Sequence, residues 1–424
     1  MRFFDAYQNF NYGRALMQTL SSNEISLTFL ALFLLLLCSF IGGKLFERIK
    51  APKVVGEIVG GMILGASCLA FIFPNFFDSV FAAYEGEGKV LNIFYQLGLL
   101  FLMFASGFNA NISIGKGNAK NYGLLFFGAT VIPMLLGLIF PRFFENAFIG
   151  TAQNHQAYVL VFIIAIAITS IPVISKIFFD LGMMNTKFSN MVLTVSTLQD
   201  LCLWILLNIA VGLVENKTFD LVNCLVTATA TIGLLFAAKL LERRCVTNKI
   251  AITKNILPIS FLTTFVVIFL LSKFNINIMY SAFIGGCIMK SILPESCKEI
   301  AAIKDFSFSL FVPIYFALVG MQLDVIHNFS LLRFFLFFLI AFVLEMVGTS
   351  GVMLFSNLKK KTVFSLGITM NARGGPGIVL ATTAYSYNII SLEFFTVLIL
   401  TTMLSSTIAG YWLRRFRKDI QNDG

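Results

Sequence analysis

Between Lys187 and Leu213 the chain reads KFSNMVLTVSTLQDLCLWILLNIAVGL, an apolar run long enough to carry a helix across a bilayer, which takes about 20 residues. Gln199 and Asp200 stand in its middle. Counting from Lys187 at about 1.5 Å per residue puts Asp200 roughly 20 Å along such a helix, near the bilayer midplane. A carboxylate there costs about 2.5–3.5 kcal/mol on insertion scales. Either a neighbouring helix satisfies it as a structural acid, or it handles something that enters the membrane.

The rest of the chain has the same character. It is 58% hydrophobic and 12% charged, against about 25% charged for a soluble domain. About thirteen apolar segments follow one another, at 25–43, 54–73, 90–109, 121–140, 156–178, 187–213, 219–241, 254–272, 276–292, 306–323, 331–355, 361–384 and 392–413. They do not alternate apolar with polar as barrel strands do. The class is an all-α polytopic membrane protein. A net charge of +10 raises nucleic acid as a partner, but the basic residues sit in short loops and read as topology signals. Most of the 31 Lys and Arg follow the odd-numbered segments, as in Lys44 and Arg48, Lys359 to Lys361, and Arg414 to Lys418. By the positive-inside rule the N-terminus is outside and the C-terminus cytoplasmic, in a plasma (inner) membrane. No basic n-region with a cleavage site opens the chain, so no removed signal peptide is expected. The short loops read as a membrane domain and little else. Seven cysteines without a CxxC pair read as small core residues, neither a disulfide frame nor a metal site.

Two short matches share one span offset. Ile58-Val59-Gly60-Gly61-Met62-Ile63-Leu64 of the second segment resembles Phe283-Ile284-Gly285-Gly286-Cys287-Ile288-Met289 of the ninth. Gly107-Phe108-Asn109-Ala110-Asn111-Ile112 resembles Gly320-Met321-Gln322-Leu323-Asp324-Val325. An odd offset gives the halves opposite orientation, and inverted repeats are a transporter device with the site at the midplane. The same offset aligns two helix breakers: Thr169-Ser170-Ile171-Pro172, and Asn371-Ala372-Arg373-Gly374-Gly375-Pro376-Gly377. Pro172 and Pro376 remove backbone donors, and Gly374, Gly375 and Gly377 hold helix poorly. Breaks inside a membrane are tolerated where they line a cavity; the bland alternative is a pair of ordinary proline kinks. Two more charges lie deep. Glu345 is midway along the eleventh segment, and Arg373 lies within the second break. Arg373 can cap carbonyl ends there or pair with Glu345. Glu345 is either that ion-pair partner or a second titratable site. Glu57 reads as a capping or anchoring acid near the cytoplasmic face, and His155 and His327 as solvated loop residues.

Together these stretches, with Pro52-Lys53-Val54-Val55-Gly56-Glu57-Ile58-Val59-Gly60-Gly61 and Leu97-Gly98-Leu99-Leu100-Phe101-Leu102-Met103-Phe104, resemble the cation:proton antiporter-2 family of monovalent cation/proton exchangers, across nearly the whole chain. The resemblance implies a sodium/proton antiporter-like fold with two broken crossing helices. Its core would be 119–214 and 330–416, its dimerising scaffold 1–112 and 250–326, and 218–245 its linker helix. It implies a homodimer, an elevator-like core movement, Na+ or K+ and H+ as substrates, and no cofactor. Two departures stand out. Electrogenic sodium exchangers of this fold carry two adjacent acids, whereas here Gln199 precedes Asp200, as in the potassium-efflux branch. Many members place a lysine where this chain has Glu345, so the usual acid–lysine bridge is absent, and Gln199 can hydrogen-bond Glu345 instead. The expected site is Asp200, Gln199, Thr169 and Ser170, supported by Glu345, Arg373 and Asn371. One carboxylate taking either a proton or a cation gives electroneutral exchange. The alternative is an organic-anion symporter of related fold. A sensor or intramembrane enzyme finds no support, since neither HExxH nor GxGD is present.

Overall fold

The computed structural model describes residues 20–49, 51–109, 119–184, 186–216, 229, 233, 256–274, 276–292 and 298–421. The expected N-terminal segment, the linker helix at 219–241 and the basic loop at 243–254 lie outside these, save Thr229 and Gly233. The described chain is helical. Nine helices among the described residues are long and apolar enough to cross a membrane, and two shorter apolar ones, Pro258–Ser272 and Ile278–Lys290, join them.

We number the main elements α1 (Ser22–Arg48), α2 (Lys53–Leu64), α3 (Glu87–Asn109), α4 (Ala119–Gly137), α5 (His155–Ala167), α6 (Ile171–Asp180), α7 (Lys187–Asn216), α8 (Ile256–Ser272), α9 (Ile278–Ile292), α10 (Lys298–Ser309), α11 (Phe311–Met321), α12 (Leu331–Met353), α13 (Lys360–Met370), α14 (Gly375–Ser386) and α15 (Leu392–Gln421). The starts follow capping chemistry. Ser21 and Glu24 form a reciprocal capping box on α1, with Glu24 Oε2 accepting from Ser21 N–H at 2.6 Å. Asn154 caps α5 by accepting from Ala157 N–H at 3.0 Å. The expected second segment matches a span over Lys53–Ile72, within which α2 ends at Leu64 and a short turn of helix follows at Leu69–Ile72. The tenth is interrupted at Leu310, which divides α10 from α11.

The inverted repeat is written in the contacts. α2 crosses α11 so closely that a Cβ on Gly61 would collide with Ala317 O, and one on Gly320 with Ile58 O. α9 crosses α3 in the same way, Gly286 against Phe104 O and Gly107 against Phe283 O. Each crossing uses the glycines that the internal match paired, at equivalent positions. Small residues let membrane helices approach backbone to backbone, where dispersion between them replaces a hydrophobic drive.

The second group of helices surrounds α7, which packs against α5 and touches α6, α13 and α14. α12 packs on α13 and on a π-helical turn of α4 at Phe127–Val131. Outward-facing apolar side chains such as Phe33, Phe40, Phe265, Phe269 and Leu339 are exposed, as a lipid-facing surface requires. The groups meet at few polar points. Asn277 N–H at the start of α9 donates to Asn208 Oδ1 of α7 at 2.9 Å, and Tyr411 of α15 donates to Ile49 O at the end of α1 at 2.7 Å.

Candidate functional site

Two helices stop in mid-bundle and restart. α5 ends at Ala167, Ile168 is extended (φ −85°, ψ 131°), and α6 begins at Ile171 with Pro172 in its first turn. α13 ends at Met370, and α14 restarts at Gly375 with Pro376 in its first turn. Proline suits a first turn, where its missing N–H would have no helical partner, and it pushes the preceding residue out of helix. The breaks cross and touch: Ser170 N–H donates to Ala372 O at 2.7 Å. Gly374 makes that approach possible, since a Cβ there would overlap Ser170 Oγ and Val173. Two carbonyl ends and two amide ends therefore converge, with the partial charges of four half-helices.

Most freed carbonyls have a protein donor. Arg373, 1% exposed, donates through Nη2 to Ile166 O at 2.7 Å, to Ala341 O at 3.0 Å and to Glu345 Oε2 at 2.7 Å. Thr169 Oγ1 donates to Met370 O at 2.6 Å and lies 3.3 Å from Glu345 Oε1. Asn371 Nδ2 donates to Gly367 O and Phe342 O. Ser406 Oγ donates to Arg373 O. Gln199 Nε2 donates to Ala129 O of the π-helical turn at 3.0 Å and to Ala167 O at the end of α5. The expected Gln199–Glu345 bond is therefore not formed, because Arg373 and Thr169 occupy Glu345 and two carbonyls occupy the Gln199 amide. Glu345 and Arg373 form the ion pair that the sequence offered as one of two options.

Asp200 is the exception. It is 1% exposed, and neither carboxylate oxygen has a hydrogen-bond partner among the described residues. Two buried groups near it in sequence share that condition, Gln199 Oε1 and Ser196 Oγ on the preceding turn of α7; so do Thr130 Oγ1 of the π-helical turn and Thr349 Oγ1 of α12. Ser196 and Asp200 are four residues apart, which puts their Cβ atoms about 5–6 Å apart on one helix face. An unpaired buried carboxylate is the costliest group a membrane interior can hold. A carboxylate with neutral hydroxyl and amide oxygens on neighbouring residues is a ligand set for a hard cation, or for a proton.

Thr169 and Ser170 lie at the crossing: Thr169 Oγ1 donates to Met370 O and lies 3.3 Å from Glu345 Oε1, and Ser170 Oγ accepts from Val173 N–H at 3.4 Å, which leaves a lone pair on each hydroxyl oxygen. The sequence reading missed Ser196 and Thr130. Ser196 was legible as the residue one turn before Asp200; Thr130 needed the π-helical turn, which no residue pattern announces. Away from the site, Glu57 is buried at 4% exposure with Lys53 Nζ 3.2 Å away. His155 and His327 are exposed, as solvated rings were expected to be, and also pair with Glu145 at 2.5 Å and Asp324 at 3.2 Å. No group of His, Cys, Asp and Glu among the described residues is arranged to hold a resident metal.

A cavity of about 900 Å3 lies between α3, α9 and α11 on one side and the end of α14 on the other. Its lining includes Asn92, Tyr95, Gln96, Asn277, Gln322 and Thr382, and no Asp, Glu, Lys, Arg or His.

Crossed broken helices in an inverted repeat, set about a buried acid, define a membrane transporter fold. Residues 29–418 match the model of the sodium/hydrogen exchanger transmembrane family, and the chain belongs to that family. It is similar to Cation/H(+) antiporter 18 of Arabidopsis thaliana, 24% identical over 395 residues, covering 91% of this chain and 48% of that one. It is 23% identical to the Na(+)/H(+) antiporter of Enterococcus hirae, covering 92% and 98%. It is 25% identical to K(+)/H(+) antiporter 1 of Saccharomyces cerevisiae, covering 95% and 48%. The chain thus spans about half the length of several curated relatives it matches, and nearly all of the Enterococcus protein. The sodium proton antiporter MjNhaP1 of Methanocaldococcus jannaschii has the same fold, with a TM-score of 0.63 at 14% identity over 94% of this chain and 99% of that one.

Proposed function

We propose that this protein is a secondary active monovalent cation:proton antiporter in which Asp200 carries either H+ or the cation, Na+ or K+. The observation that carries this reading is the buried Asp200 carboxylate without a partner, in a core whose other charges are paired. The relatives are named as Na+/H+, K+/H+ and cation/H+ antiporters, which agrees with it. A proton satisfies the carboxylate by neutralising it, and a cation by coordination; both at once add a charge that nothing offsets. Gln199 Oε1, Ser196 Oγ and Thr130 Oγ1 complete a first ligand set, with second lone pairs of the break carbonyls in reserve.

The same bookkeeping makes exchange electroneutral. Glu345 and Arg373 cancel one another, so the loaded core is neutral in both of its forms. Movement of the core, 119–214 with 330–416, against the scaffold, 1–112 with 250–326, would carry the site across in an elevator-like step. The neutral cavity at the α14–α3 boundary supports that division, because a mostly apolar lining without fixed charge lets two surfaces slide without breaking ion pairs. We assign the lysine-rich end to the cytoplasm, with the N-terminus outside, in a plasma membrane, and the working form to a homodimer. The organic-anion alternative is weaker, since Arg373 is already engaged with Glu345 and two carbonyls.

Dissipation of a proton gradient in inverted vesicles tests the reading, with sodium, lithium and potassium added separately to the native chain and to Asp200→Asn. Dequenching by one of these ions, lost in the variant, is the expected result. Silence with every ion between about pH 6 and 9, a range between the ordinary carboxylate and lysine values, overturns it.

A further inference from the structure

The neutral cavity has a built end. Tyr95 of α3 and Thr382 of α14 line it, and Tyr315 of α11 stands against Tyr95, with ring centroids 5.1 Å apart at 61°. The Thr382 hydroxyl lies beside both phenols. It gives its own proton to Val379 O at 3.1 Å, so toward the rings it can only accept or coordinate. Tyr315 is fully buried, and its phenol oxygen has no hydrogen-bond partner of acceptable geometry among the described residues. Three neutral hydroxyl groups thus gather at one end of the cavity, two of them on its lining and the third, on Tyr315, packed edge-to-face against Tyr95.

Each feature favours a cation over an anion or a neutral solute. The threonine proton is spent inside its helix. Among the described residues the cavity has no Lys, Arg or His to hold an anion. A carboxylate here would trap the ion, whereas transit needs a site strong enough to admit it and weak enough to release it. We propose that Tyr95, Tyr315 and Thr382 form an entry station for a partly dehydrated monovalent cation on its way to Asp200 from the outer side. The station rests on the antiporter reading and on the orientation given above. Two of its oxygens belong to scaffold helices and the third to the core helix α14, so it exists only while the core stands as in this structure. It therefore acts on one side of the membrane alone.

The experiment compares initial exchange rates against cation concentration from each face, in right-side-out and inverted vesicles. The chains are native, Tyr315→Phe, Thr382→Val and Thr382→Ser. Tyr315→Phe keeps the ring and its packing on Tyr95 and deletes one oxygen; Thr382→Ser keeps the hydroxyl. Losing one neutral ligand is expected to raise the half-saturating concentration at the outer face about fivefold. The inner-face value and the maximal rate should stay unchanged, and Thr382→Ser should behave like native. Thr382→Val should match Tyr315→Phe, which guards against a folding defect in either variant. An unmoved outer value, equal shifts at both faces, or a fall in maximal rate alone overturns the station and leaves the antiporter reading standing. A native chain that exchanges no cation overturns both.

Discussion

Two carboxylates sit in one core at the same burial and meet opposite fates. Glu345, 0% exposed, holds Arg373 at 2.7 Å and has the Thr169 hydroxyl 3.3 Å away. Asp200, 1% exposed, holds nothing. Burial alone therefore does not mark a working acid in a membrane. The Glu345–Arg373 pair closes the gap that two broken helices open, by capping Ile166 O and Ala341 O while cancelling its own charge. Asp200 is left for a ligand that comes and goes.

The sharpest way to break this contrast is to neutralise each acid in turn. Asp200→Asn is expected to abolish cation-coupled proton movement to the level of protein-free vesicles while the thermal midpoint in detergent stays the same or rises, because no folded contact is lost. Removing one partner of the buried pair should do the reverse to stability. Arg373→Met leaves Glu345 uncompensated and should cost on the order of 3–5 kcal/mol in denaturant titration, while the double Glu345→Met, Arg373→Met costs less than either single change. Additive losses would show that the two residues do not act as a pair.

Gln199 lies between these extremes and sharpens the comparison. Its amide serves Ala129 O and Ala167 O, and its oxygen is unpartnered. Gln199→Leu should therefore cost about 1–3 kcal/mol of stability and also weaken cation binding. A loss confined to stability would assign it to the breaks alone. Ser196→Ala touches only the proposed ligand set, and should raise the half-saturating cation concentration about fivefold with stability unchanged.

A third carboxylate, outside the membrane spans, gives the smallest effect. Burial alone would raise the Asp324 carboxyl, but hydrogen bonds from His327 N–H, the Asn328 amide, the His327 ring and Ile326 N–H outweigh it and hold it below the ordinary carboxylate range. A lowered native value means the stabilisation is complete above the unfolded value and disappears as pH falls through the native one. In melting curves the native chain should thus be slightly more stable than Asp324→Asn near neutrality, an advantage that shrinks on the acid side.

Much of this contrast was legible in the sequence, for physical reasons. Pro172, Pro376 and the glycines about Arg373 break helices wherever they stand, so the two interruptions could be placed without coordinates. Charge in an apolar run is equally local, which marked Asp200, Glu345 and Arg373. The partners were not local. Gln199 was offered Glu345 and took two carbonyls instead, because the π-helical turn at Phe127–Val131 turns Ala129 O toward it. Thr169 and Ser170 were read as ligands, and their hydroxyls also serve the crossing, a demand that exists only once the breaks touch. The glycine pairs predicted an inverted repeat; that they mark two equivalent close crossings, Gly61 with Gly320 and Gly286 with Gly107, required the fold.

The claim that one carboxylate takes either a proton or a cation is tested most directly by counting protons released on cation binding. The purified protein would be held in weakly buffered detergent with a pH indicator, and sodium or potassium titrated in. The account predicts one proton released for each cation bound, and no release from Asp200→Asn. Cation binding without proton release, or undiminished release from Asp200→Asn, would contradict it.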